Sequence, residues 1–369
     1  MFEQVFQPLP LFLLAIIATY TIVLWRLLKK IAGKETTDKH TAAKDEKKRQ
    51  KEQSSKDHKT LQKFKDKADE AMLLSQTFRK FVPKQFVDHF AKHGSDTLEL
   101  GRADEDELAI LFSDIRGFTG LSEQMSPQEL MNFLNSYFMR MNDPIHKNKG
   151  FIDKFIGDAV MALFDRPTGT NTDKAQDAIR AALDLRAAID LYNEHRANCN
   201  YPPVNVGIGI HFGPVIIGTV GSDDRMDTTV IGDSVNVAFR LEALAPKYNT
   251  DIVVSAQILT QANASGLFEY RLLDWVRVKG RKAPIEVYEI IDHQAPELKK
   301  LKLSNAELIE QGLNFRKTQQ WDQAITCFQR ALEIYPQDTL VLHHLAQCEK
   351  LQDTALSDDW DGSILFESS

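Results

Sequence analysis

Two apolar, strand-like runs in this chain each end on an aspartate, and that repetition limits what it can fold into more than any other feature. LAILFSD carries Asp114 at its end, and FIDKFIGD carries Asp158 before AVMALF resumes the apolar run. A carboxylate next to buried apolar sequence is costly unless something cationic lies beside it. Two of them on neighbouring strands suggest a site for two hard divalent cations, Mg²⁺ or Mn²⁺, held by carboxylates and substrate phosphates. The competing reading makes each an ordinary turn residue beside Gly117 or Gly157.

The segments around these runs alternate in type. SPQELMNFLNSYFMRMNDPIHK reads as a helix with a Ser126/Glu129 capping box, stopped by Gly150. GFIDKFIG and DAVMALF read as a hairpin, and KAQDAIRAALDLRAAIDLYNEHR as a long amphipathic helix. VNVGIGIHFG and VIIGTVG read as a second hairpin turning at Gly213-Pro214. A helix follows from Asp233 or Ser234, and IVVSAQIL, FEYRLLDWVRVKG and IEVYEII close the region. Hairpins mixed with crossover helices predict an α+β fold with a mostly antiparallel sheet. GIGIHFG is followed by another strand rather than a helix, so it is not a dinucleotide-binding loop, and His211 reads as a core residue.

FSDIRGFT, KFIGDAVMA and TVIGDSVNVAFR together resemble the class III nucleotidyl cyclases, specifically the adenylyl cyclases, over residues 81 to 292. The resemblance implies a ferredoxin-like core and conversion of ATP to cyclic AMP and pyrophosphate. Asp114 and Asp158, with the carbonyl of Ile115, would hold two divalent cations. Asn236 would orient the ribose and Arg240 would stabilise the α-phosphate. Lys279 would bind the β and γ phosphates, with Arg281 as a neighbour sharing that role. Lys154 and Thr229 match the base-selecting pair. A lysine offers only donors and so suits adenine N1, while a threonine oxygen accepts from the exocyclic amine. A Lys/Thr pair is similar to a bacterial subgroup that often responds to bicarbonate. In the family one subunit supplies the metal aspartates and its partner the remaining groups. A chain carrying both sets implies a homodimer with two shared sites. The alternatives are a guanylyl cyclase, which Lys154 opposes, and a catalytically silent scaffold.

The flanks carry separate expectations. Residues 1–30 read as a transmembrane anchor, because 9–28 are almost wholly apolar and the charges Arg26, Lys29, Lys30 and Lys34 follow the run. This predicts a single-pass protein of the cell inner (plasma) membrane, with its catalytic domain in the cytoplasm. Residues 31–80 read as a charged, solvated linker leading into a coupling helix, where Leu61, Phe64, Ala68 and Met72 recur at helical spacing. Residues 299–352 follow tetratricopeptide spacing through Gly312, Phe315, Ala324, Phe328, Ala331 and Pro336, which predicts a helical repeat able to bind a protein partner. The acidic tail 353–369 reads as disordered. A net charge of −7 argues against nucleic-acid binding, and three scattered cysteines give neither a disulfide framework nor a zinc site.

Overall fold

The computed structural model describes residues 11–78, 83–86, 103–222, 224–278, 281, 283–357 and 360–366. Two compact units divide at residue 81. The first is one helix, α1 (Leu11–Phe78). Helix runs unbroken through the charged stretch read as a solvated linker, which has neither Pro nor a Gly after Gly33 to interrupt it. Leu61, Phe64 and Met72 are exposed on it. The expected membrane span is not found: no helix among the described residues is long and apolar enough to cross a membrane. The apolar run opens partly outside the described residues.

The second unit is built on a sheet of nine described strands. It opens β1 (Ala103–Ile115), α2 (Phe118–Ser122), α3 (Pro127–Lys147), β2 (Phe151–Ile156), β3 (Ala159–Phe164), α4 (Asn171–Asn198) and β4 (Val206–Ser222). The order β2-β3-β1-β4 with antiparallel pairing is the ferredoxin-like arrangement. The Ser126/Glu129 capping box closes the N-terminus of α3 as the sequence predicts. β1 alternates its side chains between two cores: Ala109 and Leu111 pack under α3 and α4, while Leu108, Ile110 and Phe112 pack with Phe86, Phe151 and Val230 on the opposite face.

β4 corrects the sequence reading. Gly213-Pro214 is not a turn; one strand runs straight through it and folds back only at Ser222↔Arg225 into β5 (Arg225–Ile231). The glycines serve packing instead. A Cβ on Gly209 would come within 2.1 Å of the Glu242 backbone nitrogen, and one on Gly213 within 2.6 Å of the Ser234 hydroxyl. They let α5 (Asp233–Leu244) lie directly on the strand. No side chain caps α5, whose flank is Gly232; the Ser234 hydroxyl donates instead to Pro214 O at 2.8 Å.

The chain continues as β6 (Ile252–Ser255), α6 (Ala256–Gln261), β7 (Tyr270–Val278) and β8 (Ile285–Ile290). IVVSAQIL thus divides into strand and helix at Ser255, whose side chain caps α6. Then come α7 (Pro296–Lys317), α8 (Trp321–Ile334), α9 (Thr339–Gln352) and β9 (Ile364–Phe366). The three helices pack on α5 and β6–β8 of the same chain around Leu273, Val276, Leu313, Phe328 and Leu340. Gly312 meets the Phe328 ring, which a Cβ would approach to 2.7 Å. The tail is not disordered throughout, contrary to expectation: β9 adds in parallel to β7, and Arg277 donates to Asp361 at 2.7 Å.

Buried charge fixes this docking. Arg271 pairs with Glu289 and reaches Asp338 at 2.6 Å, and Lys302 reaches Glu289 at 2.8 Å. Arg316, wholly buried, pairs with Asp274, which also accepts from the Tyr248 hydroxyl at 2.6 Å. Burial alone would raise the Asp274 carboxyl, yet Arg316 and neighbouring donors hold it well below the usual carboxylate range. His344, packed flat on Phe328, donates to Leu273 O at 2.7 Å; burial lowers it to about 4, so it is neutral and structural. Removing one partner of a buried pair leaves an uncompensated charge, so Asp274→Ala is expected to destabilise this unit by about 3–5 kcal/mol. Urea unfolding followed by the fluorescence of Trp275 and Trp321 measures it.

Candidate active site

The last residues of β1, Asp114 and Ile115, run past the ladder with β3 and stay paired with β4, and the β2–β3 turn, with Gly157 at φ 63°, brings Asp158 back beside them. Asp158 Oδ2 accepts from the Ile115 amide at 3.3 Å, and the Asp114 carboxyl lies within hydrogen-bonding reach of Asp158. Burial, then Asp158, pushes Asp114 up to about 7. Asp114 Oδ1 is buried with no donor. This pair was legible in the sequence. Glu242 was not: α5 buries it facing the two aspartates, and burial followed by Asp114 raises it to about 8. Arg116, just beyond the pair, forms an ion pair with Asp251 at 3.4 Å.

An orphaned carboxylate oxygen within a repelling acidic pair fits a cation better than a turn. No cluster of three or more His, Cys, Asp or Glu among the described residues could hold a metal unaided. The donor set therefore suits a hard cation that keeps waters and substrate phosphates as its other ligands.

The predicted base-reading residues meet at one place. Lys154 on β2 and Thr229 on β5 both contact Asp153 Oδ2, at 3.6 Å and 3.0 Å. Lys154 also reaches Asp227 at 3.2 Å. Asp153 is the residue the sequence reading missed. It occupies the β2 bulge between Ile152 and Lys154, and its side chain is fully buried. A strand-like run gives no sign of a bulge, so nothing in FIDKFIG showed that Asp153 would face Thr229.

Asn236 and Arg240 lie one turn apart on α5, the first exposed and the second half-buried. The Arg240 guanidinium does not pair with Glu242, whose cationic neighbour is Arg116. Arg281 Nε meets Asp233 at 3.1 Å at the start of α5. Lys279 lies outside the described residues. His211 is buried against Ser255 at 2.8 Å, as a core residue should be, and burial lowers it to about 4.

The family model for the adenylate and guanylate cyclase catalytic domain matches residues 101–292, just over half the chain. The chain belongs to that family. A tetratricopeptide repeat matches residues 306–338, from inside α7 through α8 to the residue before α9. An adenylate cyclase of Anabaena cylindrica is 42% identical over 219 residues, which are 58% of this chain and 42% of that protein. A terminal-differentiation-specific adenylate cyclase of Dictyostelium discoideum is 34% identical over 277 residues, covering 74% of this chain and 13% of that protein. The chain thus spans less than half the length of either relative. The solved structure of a bacterial light-regulated adenylyl cyclase superposes with a TM-score of 0.54 at 27% identity, covering 66% of this chain and 69% of that one.

Proposed function

We propose that this member of the cyclase family is an adenylyl cyclase, converting ATP to 3′,5′-cyclic AMP and pyrophosphate as a homodimer with shared sites. The observation that carries the proposal is the Asp114–Asp158 pair with its orphaned oxygen. Asp114, Asp158 and the Ile115 carbonyl would hold two divalent cations, which when bound supply Lewis-acid stabilisation at the attacking and leaving oxygens. The rest is positioning and charge. Asn236 orients the ribose so that its 3′ oxygen faces the α-phosphate. Arg240 neutralises charge growing on that phosphate, and Lys279 with Arg281 holds the pyrophosphate portion. Lys154 donates to adenine N1 while Thr229 accepts from the amine. Guanine carries a proton on N1 and would meet a donor there.

A second copy of the chain supports the arrangement from the outside. Phe155 and Ile156 on β2, Met226 and Ile231 on β5, and Phe239 on α5 are all exposed. An apolar surface of this kind beside polar site residues fits an interface. The stripe on α1 offers the two copies a further contact, and the exposed Ile334 and Leu342 of the helical repeat offer a face to a protein partner. With ATP as substrate, the cytoplasm is its place of action. The deciding experiment incubates the purified chain with ATP or GTP in Mg²⁺ or Mn²⁺. Cyclic AMP from ATP with little cyclic GMP is expected. Equal use of GTP points to a guanylyl cyclase, and no product from folded protein points to a silent scaffold.

A further inference from the structure

Asp153 is buried at an expense that sheet packing does not explain. Its Oδ1 has no hydrogen-bond partner, and an uncompensated buried polar atom loses its water without gaining a donor in return. Its other oxygen takes both the Thr229 hydroxyl and the Lys154 ammonium. A threonine hydroxyl owns one hydrogen and two lone pairs, and the hydrogen swings to whichever acceptor suits it. Here that hydrogen is spent on Asp153, so Thr229 can only accept towards anything else. Burial lifts the Asp153 carboxyl to about 6 even with Lys154 and Thr229 opposing the shift, which leaves it ionised, and therefore acceptor-only, at neutral pH.

We propose that Asp153 is a specificity-determining positioning residue: it locks the Thr229 hydroxyl as an acceptor and tethers Lys154, so that the pair reads adenine and refuses guanine. The inference rests on the ATP reading above and deepens it. Adenine presents an amine at C6, which needs an acceptor; guanine presents a carbonyl oxygen there, which needs a donor. Without Asp153 the hydroxyl of Thr229 turns freely and can donate to that oxygen. Lys154 then keeps only Asp227 as a counter-charge, on the more exposed side of the strand. Asp153 itself touches no substrate atom; it acts through its two neighbours.

The test uses the full chain as wild type, Asp153→Ala, Thr229→Val and the double variant. Binding of 3′-deoxy-ATP and 3′-deoxy-GTP, which lack the attacking hydroxyl, is measured by calorimetry with Mg²⁺, and kcat and KM are measured with ATP and GTP. Asp153→Ala is expected to narrow the adenine preference in binding about tenfold or more, with the change in KM rather than kcat. In the Thr229→Val background the same substitution should add less, because only the tether on Lys154 is left to lose. An unchanged preference in a folded Asp153→Ala chain, or equal losses for both nucleotides, overturns the inference while the ATP reading stands. Wild type with no adenine preference overturns both. Wild type that prefers adenine in binding but forms no product removes the catalytic reading and leaves the role of Asp153 in place. Thermal unfolding checks folding; if the Ala chain is unfolded, Asp153→Leu, which keeps much of the shape and removes the acceptor, is carried through the same comparison.

Discussion

Asp114→Asn is expected to abolish cyclic AMP formation while leaving the chain folded and more stable than wild type in the absence of metal. The two effects share a cause. Asp114 is partly buried, faces Asp158 and has an oxygen with no donor, so its charge destabilises the metal-free fold. Asparagine keeps the shape and removes the charge. The group is far from fully buried, so solvent screening limits the gain to about 1 kcal/mol. Activity moves the other way, because the carboxylate is needed where cations would bind. A contribution of several kcal/mol to the transition state corresponds to a loss of about 10³-fold or more. Thermal unfolding in EDTA reads the first effect and product formation the second. Adding Mg²⁺ with ATP should raise the wild-type midpoint, since ligands stabilise the state they bind, and leave the variant unmoved. Retained activity would remove Asp114 from the mechanism, and a less stable variant would mean that the acidic pair is not strained.

Mixing Asp114→Ala chains with Asn236→Ala chains should restore activity that neither has alone. If one copy provides the aspartates and the other provides Asn236 and Arg240, a heterodimer of the two variants has one site with both defects and one site with none. Random pairing makes half the dimers mixed, and each has one working site of two, so about a quarter of wild-type activity should return. Asn236 is exposed on α5, in a surface that also exposes Phe239, which places it where a second copy can use it. Each variant alone should remain near background. A mixture that stays inactive, with both chains folded and exchanging partners, would mean that each site is complete within one chain.

Much of the catalytic core was readable because its signals are local. Alternation and glycine-bounded runs gave β1, β2 and β3, and a capping box gave the start of α3. Aspartates closing apolar runs gave the Asp114–Asp158 pair. Where the sequence misled, a residue had two physical uses. Glycine followed by proline signals a turn, yet Gly213 stays extended because α5 needs the space a side chain would fill. An acidic tail signals disorder, yet Ile364–Phe366 finds the open edge of β7.

The sequence alone determined that two carboxylates would close neighbouring strands, since this depends on residue type and short-range pattern; the roles proposed for Lys154 and Thr229 rest on resemblance to the cyclases. Only the tertiary structure decided that Asp153 would bulge inward beneath Thr229, that Glu242 would face the acidic pair, and that Arg316 and Asp274 would lock the C-terminal helices onto the sheet. Those contacts join residues from about 40 to 130 positions apart. Burial and charge at such sites are set by what the rest of the chain packs against them, and no local pattern carries that information.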